Sequence, residues 1–259
     1  MHFFYLKYLN FRPLSNGFMA GMICFMIGIS SNGQSQESIQ TDRPTESFGA
    51  SLVAMGQTQV EAGGWLQWAT PVGEELADFS YALPIGTIRY GWKERLEIRV
   101  GAQFSQTLGE AEQARFGIKW NILSASEQVQ LVWLSELETS LSRGVSLETR
   151  APSHHRLCAG WSDSKDWSAL ANAGFSADSD SVQWMASAVV SRRVGRQGWS
   201  AFAEPVLLGT GMQLNAGALL VLNDDAQIDF GYNRDLTTGD YRILFGYSQR
   251  FAGKDKSAD

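Results

Sequence analysis

Beyond residue 56 the chain is built from segments of roughly ten residues in which apolar and polar side chains alternate with a period of two. Leu96, Ile98, Val100, Ala102 and Phe104 lie opposite Glu97, Arg99, Gly101 and Gln103. Phe116, Ile118, Trp120 and Ile122 lie opposite Arg115, Gly117, Lys119 and Asn121. Successive strand side chains point to opposite faces, so this rhythm predicts strands with one apolar and one polar face. Twelve such segments can be read: 57–69, 79–90, 96–104, 115–122, 129–137, 156–161, 167–176, 182–191, one starting at Trp199, 212–222, 227–233 and 241–251. Pro84 and Gly86 suggest a bulge in the second. Long stripes of helical period are absent, and no apolar run after Ile29 is long enough for a transmembrane helix.

Alternation alone also fits a soluble β-sandwich. Three features favour an all-β, antiparallel, up-and-down transmembrane β-barrel of about twelve strands, with ten to fourteen as the range. The polar faces are rich in Gly, Ser, Gln, Asn and single charges, as a wet, crowded lumen requires. Tight turns alternate with longer connections. Aromatic residues also sort to two rims. With both termini periplasmic, Tyr90, Trp92, Trp120, Trp161, Trp167, Trp199 and Phe251 fall near one rim, and Trp68, Trp184, Tyr232 and Tyr241 near the other. Amphipathic rings collect at the two interfaces of a bilayer in this way. Mean hydropathy is only -0.16, which a barrel tolerates because every second strand residue faces inward.

The start reads as an export signal spanning residues 1–35. Lys7 and Arg12 precede an apolar run of 13 residues, 17–29, and small residues follow at Ser31, Gly33 and Ser35. Cleavage is expected after Gly33 or Ser35; an uncleaved signal anchor is the alternative. Cys24 follows Ile23 rather than a small residue, which argues against a lipoprotein site. The remaining organisation is a segment at 36–56, a barrel at 57–251 and a polar tail at 252–259. Expected partners are the lipid bilayer, the outer-membrane barrel assembly machinery and a small-molecule solute. Nucleic acid is not expected, since 27 acidic and 21 basic side chains leave a net charge of -6 and no basic patch.

Several motifs stand together. Residues 41–47 read TDRPTES, with Thr41, Asp42, Arg43, Pro44 and Glu46 as the distinctive positions, and VEAG follows at 60–63. IRYG stands at 88–91, ERLEIRVG at 94–101 and GIKWN at 117–121, with Leu123 beyond. In this combination the sequence resembles the MetA-pathway of phenol degradation family of bacterial outer-membrane proteins. The match runs from residue 41 to 123 and is looser afterwards. The TDRP-to-TES spacing is shorter here, since Pro44 and Thr45 are adjacent. The resemblance implies an outer-membrane transporter, and the family's name alone suggests an aromatic or otherwise hydrophobic solute. The last strand, YRILFGYSQRF, resembles the terminal signal recognised during barrel assembly, although eight residues follow Phe251.

By parity, Glu61, Arg89, Glu97, Arg99, Arg115, Lys119, Glu136, Glu204, Asp229 and Arg242 face inward. They would form either a charged lumen that filters solutes or a ladder of internal ion pairs that closes the barrel. The 41–47 segment would either enter the lumen and pair with those charges or remain a periplasmic lead-in. The rival class is an outer-membrane acyl hydrolase using Ser153 with His154 or His155, expected in the longest outer loop. A non-transporting structural barrel is a further alternative. GxSxG, HExxH, CxxC, Walker A and Rossmann patterns are absent, so no catalytic residue, metal or cofactor is expected. Asp178–Asp180 and Asn223–Asp225 read as hairpin turns rather than calcium loops, and Cys158 as a small filler residue.

Overall fold

The computed structural model describes residues 39–70, 79–105, 113–126, 128–140, 151–163, 166–178, 180–195 and 198–251. The expected export signal and the 252–259 tail lie outside these residues. Twelve strands follow one another: β1 (Thr58–Trp68), β2 (Phe79–Lys93), β3 (Leu96–Ser105), β4 (Gln113–Ser126), β5 (Val129–Ser140), β6 (Ser153–Ser162), β7 (Trp167–Ala177), β8 (Val182–Val194), β9 (Trp199–Leu208), β10 (Gly211–Asn223), β11 (Ala226–Asp235) and β12 (Tyr241–Phe251). Each pairs antiparallel with its neighbours in sequence, and β1 closes on β12 from Thr58↔Phe251 to Trp68↔Tyr241. This is the all-β up-and-down barrel expected from the alternation, and closure leaves no strand edge unpaired.

The two rims differ. Short connections join β2 to β3, β4 to β5, β6 to β7, β8 to β9 and β10 to β11 at the rim that also holds Thr58 and Phe251. We call this the terminal rim. The longer connections β1–β2, β3–β4, β5–β6 and β11–β12 lie at the other, the loop rim. The loop rim also holds the tight Gly209–Thr210 turn, where Gly209 has φ 56°, a left-handed conformation suited to glycine. The expected bulge in β2 is present, because its register against β3 shifts between Ala82 and Ile85, around Pro84.

Burial is inverted relative to a water-soluble domain. Phe116 (54 % exposed), Ile118 and Trp120 project outward from β4, while Lys119 between them is fully buried. Outward aromatics stand at strand termini: Trp92, Trp167, Trp199 and Phe251 at the terminal rim, and Trp68 stacked on Tyr241 at 5.2 Å at the loop rim. Tyr90 and Trp184 sit slightly further in, and Trp120 lies deeper along β4.

One stretch departs from expectation. Ser153, His154 and His155 are not loop residues; they open β6 and pair with both β5 and β7. Their polarity hid the strand, yet the pleat suits them. His154 is bonded to Ser176 Oγ at 2.7 Å, while His155 packs against Trp133 and Phe175 at ring distances of 6.0 and 5.0 Å. Consecutive strand residues face opposite ways, so the two imidazoles do not share a site.

Candidate functional site: the barrel interior

The segment before β1 runs through the barrel. The Ile39 amide donates to Asp224 O (2.9 Å) in the β10–β11 turn. Gln227 of β11 donates to Thr41 Oγ1 at 2.7 Å, and Arg43 Nη2 donates to Phe245 O of β12 at 3.0 Å. The Ser47 amide donates to Glu204 of β9 at 2.7 Å, and the Phe48 amide to Asn172 of β7 at 2.8 Å. Arg156 of β6 donates to Glu46 O at 2.7 Å. The Val53 amide then reaches Glu97 of β3 at 2.9 Å, and the Gly56 amide Gly91 O of β2 at 2.7 Å. Contacts on all sides of the wall place residues 39–53 inside the lumen.

This segment is neither helix nor strand, so its amides need acceptors from elsewhere. The wall supplies them with carboxylate and amide side chains. Glu204 takes the amides of Glu46 and Ser47 at 3.0 and 2.7 Å and a bond from Asn215 at 2.6 Å. Asn172 both accepts from the Phe48 amide and donates to its carbonyl at 3.1 Å. Asp42 is itself part of the segment's fold, since its Oδ1 accepts the Gly49 amide at 2.7 Å.

An ionic cluster surrounds Asp42. Its carboxylate binds Arg99, lies 3.3 Å from Lys119 Nζ and 3.6 Å from Arg89 Nη1. Arg89 engages Glu97 with two parallel bonds of 2.8 and 2.9 Å and Glu61 at 2.8 Å. Arg99 Nε reaches Glu136 at 3.1 Å. Forked guanidinium–carboxylate pairs of this kind hold geometry as well as charge. Four strands, β1 to β4, thus bring Glu61, Arg89, Glu97, Arg99 and Lys119 together on one acid of the segment.

The adjoining wall, from β5 to β7, is different. Val132, Leu134 and Cys158 are buried with Ala50 of the segment, and Phe48, Leu52 and Leu170 pack against them. Phe48 also lies under the guanidinium groups of Arg99 and Arg156, at 4.8 and 4.5 Å. The inward face is therefore apolar as well as polar. The physical reason is that Phe48, Ala50 and Leu52 need apolar neighbours, and β5 to β7 provide them. Glycine makes the fit possible at Gly160, where an added Cβ would lie 2.6 Å from Ala50 Cβ.

The remaining inward residues fall outside the Asp42 cluster. Asp229 is fully buried, and neither carboxylate oxygen has a hydrogen-bond partner among the described residues. Arg115 pairs with Glu138 at 2.7 Å, and Arg242 Nε donates to Gln67 while its guanidinium lies 4.9 Å above the Trp65 ring. Arg115 and Arg242 line a cavity of about 380 Å³ with Trp65, Arg43 and Glu46, between the 43–46 turn and the loop rim. Sequence reasoning did not single out Trp65, an inward aromatic whose parity was its only signal.

Among the described residues no cluster of His, Cys, Asp or Glu is arranged to hold a metal ion. At Asp178 the carboxylate is occupied by the amides of Asp180 and Ser181, at 2.8 and 2.7 Å, and these donors hold its pKa below the usual carboxylate value. The Asp225 amide donates to Asn223 Oδ1 at 2.9 Å. Both sites are built as turns.

No family model matches the chain, and no curated protein matches its sequence. Solved structures do share the fold. The KdgM porin aligns with a TM-score of 0.57 at 8 % identity, covering 74 % of this chain and 99 % of its own. The NanC porin aligns at 0.55 and 8 % identity, covering 73 % and 98 %. An outer-membrane channel from Pseudomonas putida F1 aligns at 0.50 and 14 % identity, covering 78 % and 97 %. At such identities the likeness is one of fold, and it is a likeness to barrels titled as porins and channels.

Proposed function

We propose that the protein is an outer-membrane β-barrel acting as a passive channel for small solutes, with residues 39–53 as a plug that narrows the path. The observation that carries this reading is the pairing of an apolar exterior with a charged, cavity-bearing interior in one closed barrel. Only a lipid surround suits that exterior, and a closed barrel satisfies every backbone group in lipid. The outward aromatics at the strand ends are read as interface anchors. The basic and apolar start of the sequence supports export with loss of residues 1–35, followed by insertion through the barrel assembly machinery. The shared fold with the porins supports the transport class. One of them, KdgM, is also titled in complex with disordered oligogalacturonate. The motifs at 41–123 support affiliation with the MetA-pathway family.

A second reading is a non-transporting structural barrel. The Asp42 cluster favours it, since buried ion pairs to three strands and a backbone hydrogen bond to Glu61 of a fourth tie down the plug. Planar-bilayer recording on the full chain, purified folded from outer membranes, separates the two. Discrete currents from a heat-modifiable, folded barrel support the channel. A folded barrel that stays silent, both intact and with residues 36–50 deleted, overturns it.

A further inference from the structure

The cavity between the 43–46 turn and the loop rim has a chemistry of its own. Three guanidinium groups, those of Arg43, Arg115 and Arg242, line it against one carboxylate, Glu46. Glu138 pairs with Arg115 at 2.7 Å, whereas Arg242 has no ion-pair partner among the described residues, so within a chain of net charge -6 the cavity concentrates guanidinium donors, and low-dielectric walls strengthen what they bind. The arginines are held in place by other contacts. Arg242 Nε donates to Gln67 and Arg115 Nε to Glu138 at 2.7 Å. These bonds fix each guanidinium through Nε, and among the described residues the Nη atoms of Arg115 and Arg242 have no hydrogen-bond partner. Arg43 Nη2 is bonded to Phe245 O at 3.0 Å, and its buried Nε has no hydrogen-bond partner among the described residues. The apolar part of the lining is Trp65, Ile85 and Leu244. The volume, about 380 Å³, lies in the range of small-molecule sites.

We infer that this cavity is a binding site for a small organic anion, a carboxylate carried on a compact apolar or planar body. The Nη donors of Arg115 and Arg242 suit the two oxygens of a carboxylate. Trp65 and the two aliphatic residues receive the body. A neutral solute of the same shape would leave the Arg242 guanidinium without a counter-charge, and an inorganic anion would leave the apolar lining wet. The inference rests on the channel reading and names the class of solute for it.

The test is isothermal titration of the full chain, folded in detergent, with benzoate, benzyl alcohol and acetate as probes. Saturable benzoate binding is expected, at least tenfold tighter than for either other probe. Loss of one charged hydrogen-bonding partner corresponds to roughly a tenfold loss in affinity, so Arg242→Gln and Arg115→Gln should each weaken benzoate to that extent. Arg250→Gln, which removes a cation at the terminal rim, should leave it unchanged. Both arginine variants must retain the heat-modifiable mobility of the folded barrel; if one does not fold, the other carries the test. Absence of saturable benzoate binding, equal affinity for benzyl alcohol, or equal loss in Arg250→Gln overturns the inference. Titration needs no transport, so currents without benzoate binding would overturn this site alone. Benzoate binding by a barrel silent with and without the plug would overturn the channel and keep the site.

Discussion

Replacing Asp42 by Asn keeps the side chain's shape and removes the charge at the centre of the plug's ionic cluster. Its consequence can be worked from the partners. Lys119 is fully buried, and among the described residues Asp42 is the acid within ion-pair distance, at 3.3 Å. Arg99 has Glu136 in reserve at 3.1 Å, and Arg89 keeps Glu61 and Glu97 at 2.8 Å each. The Asn variant therefore strands one ammonium, and breaking a buried pair on one side costs about 3–5 kcal/mol. The Lys119→Met variant removes the ammonium instead and leaves Asp42 with two guanidinium groups; its cost should be no more than ~1.5 kcal/mol. In the double variant the stranded charge is gone, so the effects should not add. An interaction term of about 2–3 kcal/mol is expected, well above the ~0.5 kcal/mol scatter of independent sites. Guanidinium unfolding in detergent, followed by the gel shift between folded and unfolded forms, measures all four corners of the cycle. Strict additivity would refute the assignment of Lys119 to Asp42.

Three further outcomes follow from the same geometry. Deleting residues 36–50 removes the segment that crosses the lumen, so single-channel conductance in a planar bilayer should rise severalfold over the intact barrel; an unchanged conductance would mean that the segment does not obstruct the path. Gly160→Val places a side chain where Ala50 Cβ already stands, 2.6 Å from the new Cβ. Overpacking of this kind costs about 1–3 kcal/mol, and hydrogen exchange at the amides of 47–53 should accelerate while the strand amides stay protected. Ile118→Arg puts a charge on the outward face of β4, where a midplane cation costs about 2–4 kcal/mol. Folding yield into lipid vesicles should fall, whereas Ile118→Val, which keeps that face apolar, should leave it intact.

The strands were legible because a barrel wall imposes a strict period of two, and parity assigned Glu97, Arg99, Lys119 and Asp229 to one face without any knowledge of their partners. What lay on that face was not legible, because partners across a closed barrel depend on register and on which strands stand opposite. Asp42 meets Lys119 across 77 positions, and Ser47 meets Glu204 across 157. No local pattern encodes such pairings. The failure at 153–155 has a different cause: His154 and His155 look like loop residues, but one finds Ser176 inside and the other an aromatic pair outside. The apolar wall of β5 to β7 had no local signal, because Val132, Leu134 and Cys158 face inward to meet Phe48, Ala50 and Leu52, which lie far away in sequence.

The inward carboxylates can now be sorted by what they bind. A filter for solutes would leave its charges facing open water. Glu61, Glu97 and Glu204 instead accept backbone amides of the segment, from Asp42, Val53 and the Glu46–Ser47 pair. Each of these amides belongs to a stretch with no regular structure and would otherwise be buried unsatisfied, at a cost of about 1–3 kcal/mol apiece. These wall acids are therefore receptors for the plug's backbone. Among the described residues Glu204 has no ion-pair partner, and three hydrogen bonds hold it in place. Among the described residues the loop-rim Arg242 has no ion-pair partner, and it lines the cavity together with the 43–46 turn. The separation of the plug-binding wall from the proposed solute site thus follows from where the chain's own amides need acceptors.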